Sequence, residues 1–242
     1  KIDVHPFMIY RTLRSLNPSP YMYYLDFDDH YIVGASPELL VQVENKNITS
    51  VPIAGTRPRG LTESEDKEIE KELIADPKEN AEHIMLVDLA RNDVGKVSEP
   101  GTVAVTEFMD IKKFSHVMHL VSKVIGKKKE DISALEVFQS CFPAGTVSGA
   151  PKIRAMQLIS ELENDKRGPY AGAIGFFDFF DNLEVAITLR TLFIKNGIAS
   201  VQSGGGIVYD SIPELEFEEH LHKIEALLKA IEMAEKGEFL FK

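Results

Sequence analysis

The chain has 242 residues, 44% of them hydrophobic and 27% charged, with a net charge of -11 at pH 7. That composition can bury a substantial core as one large domain or two small ones. It holds no run near the roughly 18 apolar residues of a membrane span and no apolar signal region, and its net charge disfavours nucleic acid, whose phosphates need a basic surface. Cys141 is the sole cysteine, which excludes an internal disulfide and fits a reducing, cytoplasmic setting for a soluble protein. The opening residue Lys1 is read as the start of a fragment or processed product.

In chain order, Tyr21 to Ser36 reads as two strands around Asp28-Asp29-His30, and Leu39 to Ile53 as a hairpin turning at Asn45-Lys46-Asn47. Glu63 to Ile74 and Glu79 to Asn92 carry helical periodicity, and Ser115 to Ile125 alternates as a strand. Asp131 to Gln139 and Pro151 to Glu163 are expected to be helices. Ala171 to Phe180, Glu184 to Ile194 and Ile198 to Gln202 are expected to be strands, with Asn196-Gly197 a hairpin turn. A last helix runs from about Pro213 to Glu235. Strand pairs joined by tight turns imply antiparallel sheet, hence α+β and not a doubly wound nucleotide fold.

Two helix starts share a pattern. Asp76-Pro77-Lys78-Glu79 offers a capping aspartate, a proline at the first helical position and a following glutamate, and Ser211-Ile212-Pro213-Glu214 repeats it. Each is followed by an acidic pair three residues apart, Glu79 with Glu82 and Glu216 with Glu219, on one helix face. Were the two starts to meet in the fold, four carboxylates would converge and call for a divalent cation. Taken singly, either pair is better explained by ordinary dipole-favourable glutamates in a solvated first turn.

Other features carry less. Gly145 to Lys152 looks superficially like a phosphate loop, but it lacks the Gly-Lys-Ser/Thr ending and is rejected as a nucleotide site. His116 and His119 would face opposite sides of a strand, which argues against a two-histidine metal site. His119 shares its face with Val117 and Val121, as a packed core histidine does. Gly204-Gly205-Gly206 between a strand and a helix start can bind an anion through bare amides, or simply make a tight turn.

Longer strings resemble one family across nearly the whole chain. Gly34-Ala-Ser-Pro-Glu38, Pro52-Ile-Ala-Gly-Thr-Arg-Pro-Arg-Gly60, Glu82-His-Ile-Met-Leu-Val-Asp-Leu-Ala-Arg-Asn-Asp93, Phe142-Pro-Ala-Gly-Thr-Val-Ser-Gly-Ala-Pro-Lys152, Arg167-Gly-Pro-Tyr-Ala-Gly172 and the Gly204 to Glu219 segment are similar, in order, to the chorismate-utilising enzymes. The nearest resemblance is to the ammonia-using, anthranilate-forming branch of tryptophan biosynthesis. It implies an α/β/β/α sandwich of two mainly antiparallel sheets, with residues 1–242 forming a catalytic domain that lacks its amino-terminal portion and a regulatory region.

The resemblance also implies roles. Mg²⁺ would be held by Glu82 and Glu219, with Glu79 and Glu216 completing the acidic shell, and would bridge to the ring carboxylate of chorismate. Tyr170 and Arg190 would hold the enolpyruvyl carboxylate. The amides of Gly204, Gly205 and Gly206, with Lys223, would complete the substrate contacts. Glu38 would be the general acid for the departing ring hydroxyl, His119 would assist loss of the enolpyruvyl group, and Thr146 would orient the substrate. Asn17, Pro18, Ser19, Tyr21 and Met22 resemble a tryptophan feedback segment, and a proline-stiffened lead into a strand explains them as well.

A glutamine amidotransferase subunit would supply ammonia, so a hetero-oligomer is the expected assembly. Ala54 stands where the aminodeoxychorismate-forming branch often carries a nucleophilic lysine. A methyl group cannot do that chemistry, which favours direct amination. The aminodeoxychorismate branch and the water-using isochorismate and salicylate synthases are the alternatives within the family. A non-catalytic ligand-binding remnant is the alternative outside it.

Overall fold

The computed structural model describes residues 1–114, 117–209 and 211–238. Ser115 and His116, part of the expected strand from Ser115, lie outside the described residues, as does Asp210.

The chain divides into two compact units. One comprises Lys1–Glu38, Ile159–Ile174 and Ala186–Lys242, the other Leu39–Leu158 and Gly175–Val185. The architecture is α+β, with two mainly antiparallel sheets and flanking helices.

The first unit begins with α1 (Pro6–Leu16), a helix the sequence reading did not anticipate. Its signals are local: the His5 ring accepts from the Phe7 amide, Pro6 opens the first turn, and Pro6, Ile9, Thr12 and Leu13 form the buried stripe. Then come β1 (Tyr21–Asp26) and β2 (Tyr31–Ser36), paired antiparallel as expected. β10 (Thr191–Lys195) and β11 (Ile198–Val201) complete a four-stranded sheet ordered β1-β2-β10-β11. α7 (Pro213–Glu235) lays Leu227, Ala230 and Ala234 against Ile9, Leu13, Val33, Ala35, Leu192 and Ile194, and this cluster is the unit's core.

The second unit holds β3 (Leu39–Glu44) and β4 (Asn47–Ser50), joined through Asn45 and Lys46 at φ 48° and 69°. Both turn residues are left-handed, the geometry that matches strand twist in a two-residue hairpin. Next are β5 (Ile53–Pro58), α2 (Glu63–Ala75), α3 (Pro77–Val97), β6 (Ala104–Lys113) and β7 (Val117–Lys127). After β7 come α4 (Ala134–Cys141), the one-turn α5 (Gly145–Ser148) and α6 (Lys152–Leu162), which runs on into the first unit. β8 (Ala173–Phe177) and β9 (Leu183–Ile187) complete a seven-stranded sheet, β5-β7-β4-β3-β9-β8, with β6 on β7.

Three expectations change. The single hairpin ending at Ile53 becomes β4 and β5 laid end to end along β7, because Pro52 has no amide to donate there; its carbonyl accepts from Ser122 N at 3.1 Å. The single strand from Glu184 to Ile194 breaks. Leu189 N donates back to Ile187 O at 2.9 Å and Arg190 takes φ 47°, so β9 belongs to one sheet and β10 to the other. The strand to Phe180 stops at Phe177, where Asp178 Oδ1 accepts from the Phe180 and Asn182 amides at 2.8 Å and turns the chain.

Candidate functional site

In the second unit the site is built on α3. Asp76 caps it as expected, accepting from the Lys78 and Glu79 amides at 2.9 and 3.2 Å, and Pro77 opens the first turn. At 100° per residue, Glu79, Glu82 and His83 fall within roughly 100° of one another, beside the stripe of Leu86 and Val87. The stripe is buried and both glutamates are half-buried, so they sit at the edge of the packed face and not on the solvated one.

Glu79 is already engaged. Arg57 on β5 reaches Glu79 Oε1 at 3.2 Å, Asp76 at 2.8 Å and Glu72 at 3.2 Å. One guanidinium therefore ties the cap of α3 to its first acidic residue. Arg57 was not singled out in the sequence, where it is one of two arginines in a loop-like string.

β5 supplies a second feature. Its ladder with β7 slips between Ala54 and Thr56, a bulge at Gly55 with φ +60°. An ideal Cβ at Gly55 would lie 2.9 Å from Leu73 Cδ1 and 3.3 Å from both Glu79 Oε2 and Leu120 Cδ1. The bulge aims the Gly55 carbonyl and the Thr56 hydroxyl at His119 Nδ1, at 3.0 and 3.1 Å. A carbonyl only accepts, so Nδ1 carries the proton and the basic nitrogen of the neutral ring is Nε2. His119 is buried, edge-on to Phe114 at 5.5 Å between centroids, and is thus a polar-oriented histidine rather than mere core filling.

Thr146 sits on α5 with its Oγ1 buried and without a hydrogen-bond partner among the described residues. An unmet buried hydroxyl is costly and suits a group that meets a ligand. Behind it, Lys152 Nζ donates to Asp93 Oδ2 at 2.7 Å and to the Cys141 carbonyl at 3.2 Å, and Ser140 Oγ donates to Asp93 O at 2.9 Å. These bonds join α3, α4 and the start of α6. Lys152 thus has a structural partner in Asp93.

In the first unit, Glu38 follows β2 and is buried. Its carbonyl accepts from Ile187 N at 3.0 Å, while Ser36 Oγ donates to Ile187 O at 2.5 Å. Arg190, at the left-handed break between β9 and β10, accepts from Ala35 N at 3.2 Å through its own carbonyl. Burial pushes its guanidinium pKa down and the charge of Glu38 pulls it back up, so these two opposite charges feel each other.

Tyr170 is half-buried, its phenol pushed up by burial, with Arg167 over its ring at 5.5 Å. An ideal Cβ at Gly204 would lie 2.5 Å from Tyr170 Oη, so the phenol is seated against the bare backbone there. Lys223 Nζ donates to the Gly204 carbonyl at 3.1 Å and pairs with Glu219 at 2.6 Å. Gly206 is exposed. Glu216 and Glu219 stand on the first turns of α7, half-buried and exposed respectively.

The expected serine cap of α7 is a correction. Ile212 is the N-cap and makes no side-chain bond, because Ser211 Oγ is committed to Val208 N at 3.0 Å in the preceding turn. Asn17 C-caps α1, donating to Leu13 O at 2.8 Å, and Pro18 and Ser19 lead into β1, where Tyr21 and Met22 pair with Ser36 and Ala35.

A Mg²⁺ site needs oxygen donors, and each helix presents two carboxylates on one face, a donor set that fits a hard cation. In each pair one carboxylate has a cationic partner, Arg57 on Glu79 and Lys223 on Glu219. Among the described residues no group of three or more His, Cys, Asp or Glu side chains stands arranged to hold a metal ion. No helix among them is long and apolar enough to cross a membrane.

Comparison with known proteins gives a consistent result. The profile of the chorismate binding enzymes matches residues 1–229. The chain is 58% identical over 230 residues to anthranilate synthase component 1 of Acetivibrio thermocellus, covering 95% of this chain and 47% of that protein. It is 56% identical over 234 residues to the protein of the same name from Aquifex aeolicus, covering 97% and 47%. Among solved structures it is similar to anthranilate synthase component I from Streptococcus pneumoniae, with TM-score 0.86 and 49% identity over 92% of this chain and 49% of that one. The chain spans about half the length of the curated relatives it matches.

Proposed function

The chain belongs to the chorismate binding enzyme family, and from that premise we propose that it carries the catalytic residues of a Mg²⁺-dependent conversion of chorismate and ammonia to anthranilate and pyruvate. The observation that carries this reading is identity of 56 and 58% to proteins named anthranilate synthase component 1 over nearly the whole of this chain. Ala54 supports it, since an alanine there leaves no amine to attack the ring in place of ammonia. Residues 1–242 serve one catalytic activity in this reading. Ammonia comes from glutamine through a partner amidotransferase subunit, a reading that agrees with relatives named as one component of a synthase.

Arg190 grips the enolpyruvyl carboxylate, its attraction to an anion strengthened by the low dielectric of its half-buried position, and the Tyr170 hydroxyl donates to the same group. Lys223 and the amides of Gly204, Gly205 and Gly206 meet remaining carboxylate oxygens. Glu38 protonates the ring hydroxyl, which leaves as water while the nitrogen of ammonia bonds to the ring. His119, basic at Nε2, takes a ring proton as the enolpyruvyl ether bond breaks; the departing enolate gains a proton at its methylene carbon to become pyruvate, and the ring becomes aromatic. Thr146 orients the substrate through its hydroxyl. Glu82 and Glu219, with Glu79 and Glu216, would hold Mg²⁺, which when bound supplies charge neutralisation and polarisation of the ring carboxylate. Asn17, Pro18, Ser19, Tyr21 and Met22 belong in this reading to a tryptophan-responsive segment.

The test is incubation with chorismate and an ammonium salt, with and without Mg²⁺. Anthranilate fluorescence with equimolar pyruvate is the expected result. A product that retains the enolpyruvyl group, or formation of isochorismate, would overturn the anthranilate assignment. Full activity in both Glu82→Ala and Glu219→Ala would overturn the metal assignment.

A further inference from the structure

The two acidic pairs share a third residue. Glu79, Glu82 and His83 spell Glu-x-x-Glu-His, and Glu216, Glu219 and His220 spell it again. In each case one ring nitrogen is buried without a hydrogen-bond partner among the described residues: Nδ1 of His83 and Nε2 of His220.

The other surroundings separate the two histidines. His83 is fully buried, with Nε2 2.6 Å from Ser122 Oγ, which also accepts from Met109 N at 2.9 Å. It pins α3 to β7, and packing accounts for it. His220 is half-buried, and its Nε2 lies against the backbone of Gly205: an ideal Cβ there would stand 2.9 Å from Nε2 and 3.4 Å from Glu216 Oε2. One residue earlier, Gly204 is lined by Tyr170 Oη and its carbonyl is held by Lys223 Nζ at 3.1 Å. A phenol, an imidazole nitrogen and an ammonium thus surround one short stretch of bare backbone, all within the first unit. The Glu216 carboxylate faces the same glycine, and Lys223 brings the compensating charge.

We propose that His220 is a further substrate-binding residue, whose Nε2–H donates a hydrogen bond to a carboxylate of the anionic substrate seated against Gly204 and Gly205. The inference rests on the reading above that this segment receives chorismate. A ring nitrogen kept from water with nothing to bond is unfavourable, and a ligand oxygen removes that penalty, so the donor strengthens binding. The contact exists in the ground state and persists through the reaction, so it acts on affinity more than on the chemical step.

Two variants in the intact enzyme test this. His220→Leu keeps the bulk and removes the donor; His220→Gln places an amide N–H close to the Nε2 position. KM for chorismate is expected to rise about tenfold in His220→Leu, with kcat within about twofold, and to recover to within about threefold of wild type in His220→Gln. Calorimetric Kd for chorismate should follow the same order, at thermal midpoints near wild type. An unchanged KM and Kd in His220→Leu, or a glutamine variant no better than leucine, overturns the inference while leaving the functional reading intact. A wild-type protein that neither binds nor converts chorismate overturns both.

Discussion

Gly55→Ala is the substitution whose effect follows most directly from the geometry. The residue sits at φ +60°, where an L side chain costs about 1–2 kcal/mol. Its new methyl would lie 2.9 Å from Leu73 Cδ1, a side chain with no solvent exposure packed on Met118 and Leu120. Overpacking of that kind costs roughly 1–3 kcal/mol, so the sum is about 2–5 kcal/mol. With a urea slope near the upper end of about 1–3 kcal/mol/M, as a chain of this length has, the unfolding midpoint should fall by roughly 1–2 M.

A double-mutant cycle separates the two causes. Leu73→Ala alone costs about 2–5 kcal/mol through its cavity. In the double variant the steric cost disappears while the backbone cost stays, so the combined loss should be smaller than the sum by about 1–3 kcal/mol. A single-variant effect under about 0.5 kcal/mol, or strict additivity, would refute the bulge as described. The Gly55 carbonyl orients His119, so the stable fraction of Gly55→Ala should also show reduced kcat in the anthranilate assay.

Three further outcomes are expected. Asp76→Ala should lower stability by about 1–2 kcal/mol through the lost cap, whereas Ser211→Ala should cost under about 0.5 kcal/mol, because only the first serves as a helix cap; equal losses in urea unfolding would contradict this. The Arg59 guanidinium holds the Asp66 carboxyl down at about 2, against an ordinary 3.8. A depressed carboxylate stabilises the fold above its ordinary pKa and loses that contribution as pH falls toward the folded value, so the thermal midpoint of wild type should drop more steeply than that of Asp66→Asn on acidification from pH 3.8 toward 2. Burial pushes the Cys141 thiol up to about 12, so iodoacetamide should label it only after denaturation; rapid labelling of the folded protein would contradict its buried placement.

Much of the local structure was legible because its causes are local. Asp76 and Pro77 supply the cap and the first-turn residue of α3 from adjacent positions, and Asn45-Lys46 and Asn196-Gly197 turn a hairpin through residues that tolerate positive φ. The spacing of each glutamate pair guarantees one helix face. α1 was legible too, in Pro6 and the Ile9, Thr12, Leu13 period, but it is only 11 residues long and its stripe is narrow.

Elements whose hydrogen bonds close within a few residues, and the residue types available for chemistry, could therefore be read from the chain alone. Tertiary structure decided the rest. The strand-like stretch from Glu184 to Ile194 breaks at Arg190 because β9 and β10 find partners in different sheets, and no local signal reports a partner far along the chain. Ser211 reads as a cap but is spent on Val208, a choice between two amides that sequence leaves open. The bulge that points Gly55 and Thr56 at His119 exists only because β5 lies on β7, whose pairing residues are about sixty positions away. Long-range pairing sets which of several locally acceptable conformations survives, since each is separated from the others by energies smaller than those of packing.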